Sequence, residues 1–220
     1  MGRSCALSAT KPSILFADVA DNAGGGGRAN TVWILKAFYE ARVKGCTPAI
    51  IYDPALAAEA HRLGVGATFD ADSDGDKTHP LSGKFRAPAT VAQLRDDEFI
   101  GRRGIAAVAA VSLGPCARLI VGGIQVINVT VRQQAKDPVF MEALSVEIAT
   151  QRSLIIRSRG QFRAWADEFF SDEHIIEVDV PGLTPTVLKN VPYEHIPRPL
   201  YPLDDDWDWK VGESETFAAR

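Results

Sequence analysis

Four consecutive glycines, Gly24 to Gly27, constrain what this chain can fold into more than any other feature. They follow a short apolar run, Ile14 to Val19, whose length and partial alternation predict a strand. Ile34, Leu35 and Phe38 then recur at helical spacing. A strand, a glycine loop and a helix start form the arrangement in which free backbone N–H groups and a helix dipole face an anion. The stretch therefore predicts a ligand-facing loop with unpaired N–H groups.

Polar residues flank this loop on both sides. Asp18, Asp21 and Asn22 are expected at the carboxyl end of the first strand, where open α/β sheets bind their ligands. We expect Asn30 or Thr31 to cap the helix that follows.

The pattern of elements after the loop predicts an α/β fold. Ala49 to Tyr52 indicate a second strand, Asp53-Pro54 a helix start, and Ala67 to Phe69 a third strand, which together favour parallel, right-handed crossovers. Gly122-Gly123 between β-branched residues predicts a hairpin. We therefore expect a mostly parallel sheet flanked by helices, with an additional antiparallel or irregular part. Further predicted elements are a helix from 137 to 144, strands at 153–156 and 175–180, and a helix over 161–170.

Composition divides the chain into three segments and excludes several partners. Residues 1–12 are predicted to be flexible, 13–203 to form the α/β domain, and the acidic 204–220 to be a mobile tail. A net charge of −4 gives no reason to expect nucleic-acid binding, and no apolar run approaches the length of a membrane span. Three widely spaced cysteines fit a reducing cytoplasm. The composition is compatible with a homo-oligomer and does not determine the oligomeric state.

The glycine loop admits three interpretations. Gly24-x-Gly26-x-x-Ala29, with Asp53 after the second strand, fits the loose dinucleotide-binding form. A carboxylate at Asp21 would, however, repel a pyrophosphate. A purely structural turn is the second interpretation. A ligand- or active-site-facing loop of another kind is the third, and it is the one we favour.

Metal-binding motifs are incomplete. Asp70-x-Asp72-x-Asp74-Gly75, with Asp76, matches the first half of a calcium loop, but Leu81 occupies the position of the bidentate Glu. A solvated turn is favoured over a weak calcium site. The four histidines form no H-E-x-x-H or similar pair, so we predict no metal ligands in this chain.

The segment Arg157-Ser158-Arg159-Gly160-Gln161-Phe162-Arg163 joins a strand to a helix, and its arginines can clamp a carboxylate or phosphate. The alternative is a solvated helix start. Arg132, Gln133 and Gln134 end another apolar strand and can line the same cleft. No catalytic residue is identified. The candidate cleft-lining residues are Asp18, Asp21, Asn22, Gly24, Gly25, Gly26, Gly27, Arg28, Arg132, Gln133, Arg157, Ser158, Arg159, Gln161 and Arg163.

These motifs, in this order, resemble the C-terminal domain of the MlrC-type (microcystinase C) metallopeptidases. The resemblance covers roughly residues 13–203. The segments that carry it are Asp21-Asn22-Ala23-Gly24-Gly25-Gly26, Asp53-Pro54, Gly64-Val65-Gly66-Ala67-Thr68, Leu113-Gly114, Thr130-Val131-Arg132-Gln133-Gln134, Arg157 to Ala164, Val180-Pro181-Gly182 and Arg198-Pro199-Leu200-Tyr201-Pro202.

The resemblance implies an α/β domain that follows a larger N-terminal domain. In that family the zinc ligands and the catalytic carboxylate belong to the N-terminal domain, and the reaction is amide hydrolysis in small or linearised peptides. This chain is about half the length of a family member. It is therefore expected to be a separated half, a truncated product or a subunit that needs a partner. We expect it to hold no zinc and to form one wall of a substrate cleft that a separate N-terminal catalytic domain completes.

Departures from the family pattern keep alternatives open. The family usually has Pro at Ala23, Asp near Asn30, Lys at Arg157 and His at Gln161. Gln161 can hydrogen-bond but cannot exchange a proton at neutral pH. The alternatives are an independent module that binds an anion or nucleotide, and a degenerate, non-catalytic scaffold.

Overall fold

The computed structural model describes residues 13–48, 50–73 and 81–205. The predictions for residues 1–12 and for 206–220 lie outside this range. The described chain separates into two compact units, residues 13–186 and 187–205. In the smaller unit, a single turn of 3-10 helix spans Leu188–Asn190, and Arg198 pairs with Asp204.

The described residues of the larger unit form eleven strands and four α-helices. The strands are β1 (Ile14–Asp18), β2 (Cys46–Pro48), β3 (Ile51–Tyr52), β4 (Thr68–Ser73), β5 (Phe85–Arg95), β6 (Phe99–Ile100), β7 (Ala110–Val111), β8 (Cys116–Val121), β9 (Ile124–Val129), β10 (Ser153–Ile156) and β11 (Ile175–Val178). The helices are α1 (Trp33–Glu40), α2 (Pro54–Leu63), α3 (Val139–Glu142) and α4 (Arg163–Ala166). Within the described ranges, none of the helices combines the length and apolar character needed to cross a bilayer.

One mixed sheet carries the fold, in the order β11-β1-β10-β2-β9-β8-β5-β4, with β3 also paired to β9. Pairs from β11 to β9 are parallel, and those from β9 to β4 are antiparallel. The expected α/β class is confirmed. β6 and β7 form a separate small antiparallel pair.

One detail of the predicted topology is wrong. The predicted third strand is β4, and it pairs antiparallel with β5 instead of continuing a parallel crossover. The predicted second strand corresponds to β3, which β2 precedes, and β10 lies between β1 and β2 in the sheet.

The stretch up to Pro88, in which the sequence indicated no strand, contains the start of β5, the longest strand in the described residues. Phe85, Ala87 and Ala89 are buried and alternate with exposed Arg86 and Pro88, so the strand period is present but carried mostly by small residues. Pro88 lies before the ladder with β8 begins, at Ala89, and therefore removes no hydrogen bond from that pairing.

The predicted hairpin at Gly122-Gly123 is confirmed. These two residues join β8 to β9, and both have positive φ, +57° and +90°, as a tight two-residue turn requires. The predicted helix from Asp53-Pro54 is confirmed as α2, with the Asp53 side chain accepting the Leu56 N–H at 3.0 Å.

Apolar residues cover both faces of the sheet. On one face, Phe140, Phe162 and Trp165 from the region of α3 and α4 pack on β1, β9 and β10. On the other face, Leu35 of α1 and Leu56 of α2 pack on β5, β8 and β9. The central parallel strands are thus buried on both sides, and their carboxyl ends open on the glycine loop.

Candidate functional site

The glycine loop closes on itself. It begins after β1, and Asn22 caps a single 3-10 turn, Ala23–Gly25, by accepting the Gly24 N–H at 3.0 Å. The N–H groups of Gly25 and Gly27 donate to the Asn22 carbonyl at 3.0 and 2.8 Å, and that of Gly26 donates to Ala23 at 3.3 Å. The four glycine N–H groups are therefore all used inside the loop. The expectation that they are free to face an anion is wrong.

The helix that follows is also separated from the loop. α1 begins at Trp33 with Val32 at its N-cap, and no side chain caps it. The predicted caps, Asn30 and Thr31, lie upstream and are buried. The Thr31 N–H instead donates to Asp21, so the residues between the glycines and α1 are held by a carboxylate below them.

That carboxylate, Asp21, organises the loop from beneath. Its two oxygens accept the N–H groups of Ala29 and Thr31, both at 2.8 Å. The Arg157 Nε lies 3.2 Å from Asp21 Oδ2, and the same guanidinium donates to the carbonyls of Thr31 and Ile50. Both charged side chains are almost fully buried. In this conformation they hold the loop, and neither faces solvent.

Asp18 shares this buried environment. Its pKa is raised to about 6, mainly because burial disfavours the charged form, and the neighbouring Asp21 adds to the rise. The Arg157 charge and a 3.3 Å hydrogen bond from the Thr31 hydroxyl act in the opposite direction. Asp18 Oδ1 is buried and has no hydrogen-bond partner among the residues that the structure describes.

Gln134 connects the glycine loop to the arginine segment. Its side-chain N–H group donates to Asn22 Oδ1 and to the Ser158 hydroxyl, both at 2.8 Å. Gly24 allows this approach, because a Cβ at that position would lie 2.5 Å from Gln134 Oε1. The structure thus brings together the two segments that the sequence singled out. Sequence reasoning named Gln134 as a residue that can line the cleft but did not include it in the final candidate set.

A third segment reaches the loop without being predicted there. The Thr184 hydroxyl accepts the Asn22 N–H at 3.0 Å and donates to the Val19 carbonyl at 3.1 Å. Gly182 packs so closely that a Cβ would lie 2.2 Å from the Ala20 carbonyl oxygen. Val180-Pro181-Gly182 was visible only as part of the family resemblance, because nothing local indicates which loop it contacts.

Two open clefts, each of about 640 Å³, flank the exposed glycines. Cleft A is lined by Asn22, Gly24, Gln134, Arg159, Gly160 and Gln161. Cleft B is lined by Gly26, Arg28, Tyr52, Arg132 and Leu183.

The remaining candidates lie outside both clefts. Ser158 is buried beneath Gln134, and Gln133 donates to the Ser112 carbonyl at 3.4 Å. Arg163 is engaged in surface ion pairs with Asp172 and Glu177 at 3.0 and 3.3 Å. The three arginines of this segment therefore lie in different environments. Arg157 is buried, Arg159 lines cleft A, and Arg163 is exposed outside both clefts.

The acidic segment that was predicted as a solvated turn begins within strand β4. Asp70 and Asp72 lie on the exposed face of β4, where Asp70 pairs with Arg86 at 3.3 Å. Asp74 and Asp76 lie outside the described residues. Among the residues that the structure describes, no group of three His, Cys, Asp or Glu side chains is placed to hold a metal ion.

The fold and these clefts define an α/β domain whose glycine loop lies at the carboxyl ends of its parallel strands, beside two open clefts. The family model described as "MlrC C-terminus" matches residues 16–195, and the chain belongs to that family. A search of curated proteins gave no match.

A solved structure agrees with this assignment. The crystal structure of a "Putative metallopeptidase" from Mesorhizobium sp. BNC1 superposes with a TM-score of 0.76 at 25% sequence identity. The match covers 91% of this chain but only 40% of the Mesorhizobium chain. The chain therefore spans well under half the length of this relative.

Proposed function

We propose that this chain acts as the C-terminal domain of an MlrC-type zinc metallopeptidase and forms one wall of its substrate cleft. The observation that carries the proposal is the family match over residues 16–195. The 40% coverage of the Mesorhizobium chain supports a further domain as partner. As the family resemblance implies, the zinc ligands and the catalytic carboxylate belong to that separate N-terminal domain, and the substrate is a small or linearised peptide.

Cleft A is the part of this wall that binds substrate. Arg159 is exposed, and its side chain makes no hydrogen bond or ion pair with the described residues, so it can bind a peptide carboxylate. Asn22 and Gln161 line the same cleft and can hydrogen-bond a peptide backbone. Because the loop N–H groups are already paired, anion contact comes from side chains.

Gln161 limits what this wall contributes to the reaction. It lies at the exposed edge of cleft A, at the position where the family usually has His. An amide can orient a substrate but cannot transfer a proton near neutral pH. The role of cleft A is therefore positioning, and proton transfer belongs to the partner domain.

One observation favours the second candidate, an independent anion-binding module. Arg28 and Arg132 both line cleft B, beside Gly26 and Tyr52. The internal pairing of the loop N–H groups weighs against a nucleotide phosphate at the loop itself. Clear thermal stabilisation by ATP or NAD, lost in Arg132→Gln, would favour this module over the dependent domain.

The cleft A assignment is tested in a mixture of this chain with the N-terminal region of an MlrC-type protein. We expect Arg159→Gln to raise the KM for a short peptide about tenfold with little change in kcat, as for loss of a charge-assisted contact. Arg163→Gln is the matched control, since its ion pairs lie outside the clefts, and its KM is expected to stay within about twofold of the wild type. Equal effects of the two substitutions would contradict the assignment.

A further inference from the structure

A further cavity, of about 530 Å³, opens at the opposite end of the parallel strands from the glycine loop. It lies at the amino ends of β1 and β10, beside the end of α1. We call it the basic pocket, and its lining residues are Ile14, Phe16, Phe38, Arg42, Val43, Lys44, Arg152 and Ser153.

The floor of the basic pocket is apolar. Phe16 and Phe38 meet edge to face, with ring centroids 5.3 Å apart. Both rings are half-buried, as are Ile14 and Val43, so each leaves apolar surface open to a ligand. An apolar chain that covered this surface would gain roughly 25 cal/mol for each Å² removed from water.

The rim of the pocket is cationic. Arg42, Lys44 and Arg152 are exposed, and their side chains make no hydrogen bond or ion pair with the residues that the structure describes. Among the described residues that line the pocket there is no Asp or Glu. Three positive charges therefore converge on one apolar cavity without a counter-charge lining it.

The aliphatic stems of two of these cations lie over glycines beside the pocket. The Arg152 Cγ lies 3.3 Å from the position that a Cβ would take on Gly45. The Lys44 Cγ lies 3.5 Å from the corresponding position on Gly123, in the β8–β9 hairpin turn. The absence of a side chain at both glycines leaves room for these stems beside the pocket.

We propose that the basic pocket binds an amphipathic carboxylate, with the apolar chain on the Phe16–Phe38 floor and the carboxylate among the three cations. The volume lies in the range of roughly 300–1,000 Å³ typical of small-molecule sites. A purely inorganic anion would leave the apolar floor uncovered, and a neutral hydrocarbon would leave the cations unpaired. Only a ligand with both parts matches both surfaces.

Isothermal titration calorimetry of the full chain with dodecanoate, below its micelle concentration, tests the proposal. Saturable one-to-one binding is expected, with dodecanol at least about tenfold weaker because it lacks the charge. The double substitution Lys44→Gln with Arg152→Gln is expected to weaken dodecanoate binding about tenfold or more. Lys84→Gln, an exposed cation outside the pocket, should change the Kd by less than about twofold.

Methyl NMR places the ligand. Dodecanoate should shift the methyl signals of Ile14 and Val43 and leave those of Leu183, in cleft B, unchanged. Thermal midpoints of the variants equal to that of the wild type would show that folding is intact. Absent or unsaturable binding, equal affinity for dodecanol, equal affinity of the double variant and the wild type, or shifts confined to Leu183 would each overturn the proposal.

Discussion

At the residue scale, Arg157 shows how burial changes the meaning of a motif. A run of arginines between a strand and a helix predicts an anion clamp, yet Arg157 lies inside the protein beside Asp21. Whether a charged residue at a strand end faces solvent depends on what packs over it, and that is decided by segments distant in the sequence. Arg159 is exposed and lines cleft A, whereas Arg163 is exposed but forms ion pairs outside both clefts.

Asp21→Asn should destabilise the fold strongly. It removes the carboxylate that lies against the buried Arg157 Nε and weakens the acceptors for two backbone N–H groups. We expect a loss of about 3 kcal/mol in the free energy of unfolding, measured by urea denaturation. Asp70→Asn, in an exposed pair with Arg86, should cost less than about 1 kcal/mol. Similar losses for both would show that the buried pair does not hold the loop.

The raised pKa of Asp18 predicts that the difference in stability between the wild type and Asp18→Asn depends on pH. Its folded pKa of about 6 lies above the ordinary 3.8, so the folded state binds the extra proton and stability from this group falls as pH rises from 4 to 6. Asp18→Asn imitates the protonated form. Between pH 4 and pH 7, the free energy of unfolding of the variant should rise by on the order of 2–3 kcal/mol relative to that of the wild type, measured by urea unfolding across that range. Parallel stability curves for the two proteins would contradict the raised pKa.

At the element scale, the sequence predicted those turns and helix starts that depend on interactions between residues close in the chain. The hairpin at Gly122-Gly123 and the helix starting at Asp53-Pro54 follow from turn and capping preferences, and both are present. The start of β5 was missed because alanines carry its buried positions and Pro88 interrupts the pattern. The loop N–H pairing was missed because it depends on where the Asn22 carbonyl points.

The glycines of the loop should differ sharply in their tolerance of a side chain. A Cβ on Gly27 would lie 2.7–2.8 Å from the backbone of Asp21 and Asn22, which cannot move without opening the loop. A Cβ on Gly25 would lie 3.3 Å or more from its neighbours. We expect Gly27→Ala to cost about 2–3 kcal/mol and Gly25→Ala under about 1 kcal/mol in urea unfolding. A Gly27→Ala variant as stable as wild type would contradict the close packing.

At the scale of the whole molecule, the site exists because of strand order. β10 lies between β1 and β2, and this places the Arg157 to Gln161 segment beside a loop more than a hundred residues earlier in the chain. The sequence predicted that both segments end strands, but not that those strands are neighbours. Proximity of this kind depends on packing across the sheet, which local preferences do not determine.

At the scale of the whole molecule, we propose that this chain supplies one wall of a two-part peptidase. The direct measurement is hydrolysis of a short linear peptide by this chain, by a zinc-loaded N-terminal region of an MlrC-type protein, and by their mixture. We predict that only the mixture gives efficient hydrolysis and that the chain alone copurifies with less than stoichiometric zinc. Hydrolysis by this chain alone with one tightly bound zinc per chain, or a mixture no more active than the N-terminal region by itself, would contradict the claim.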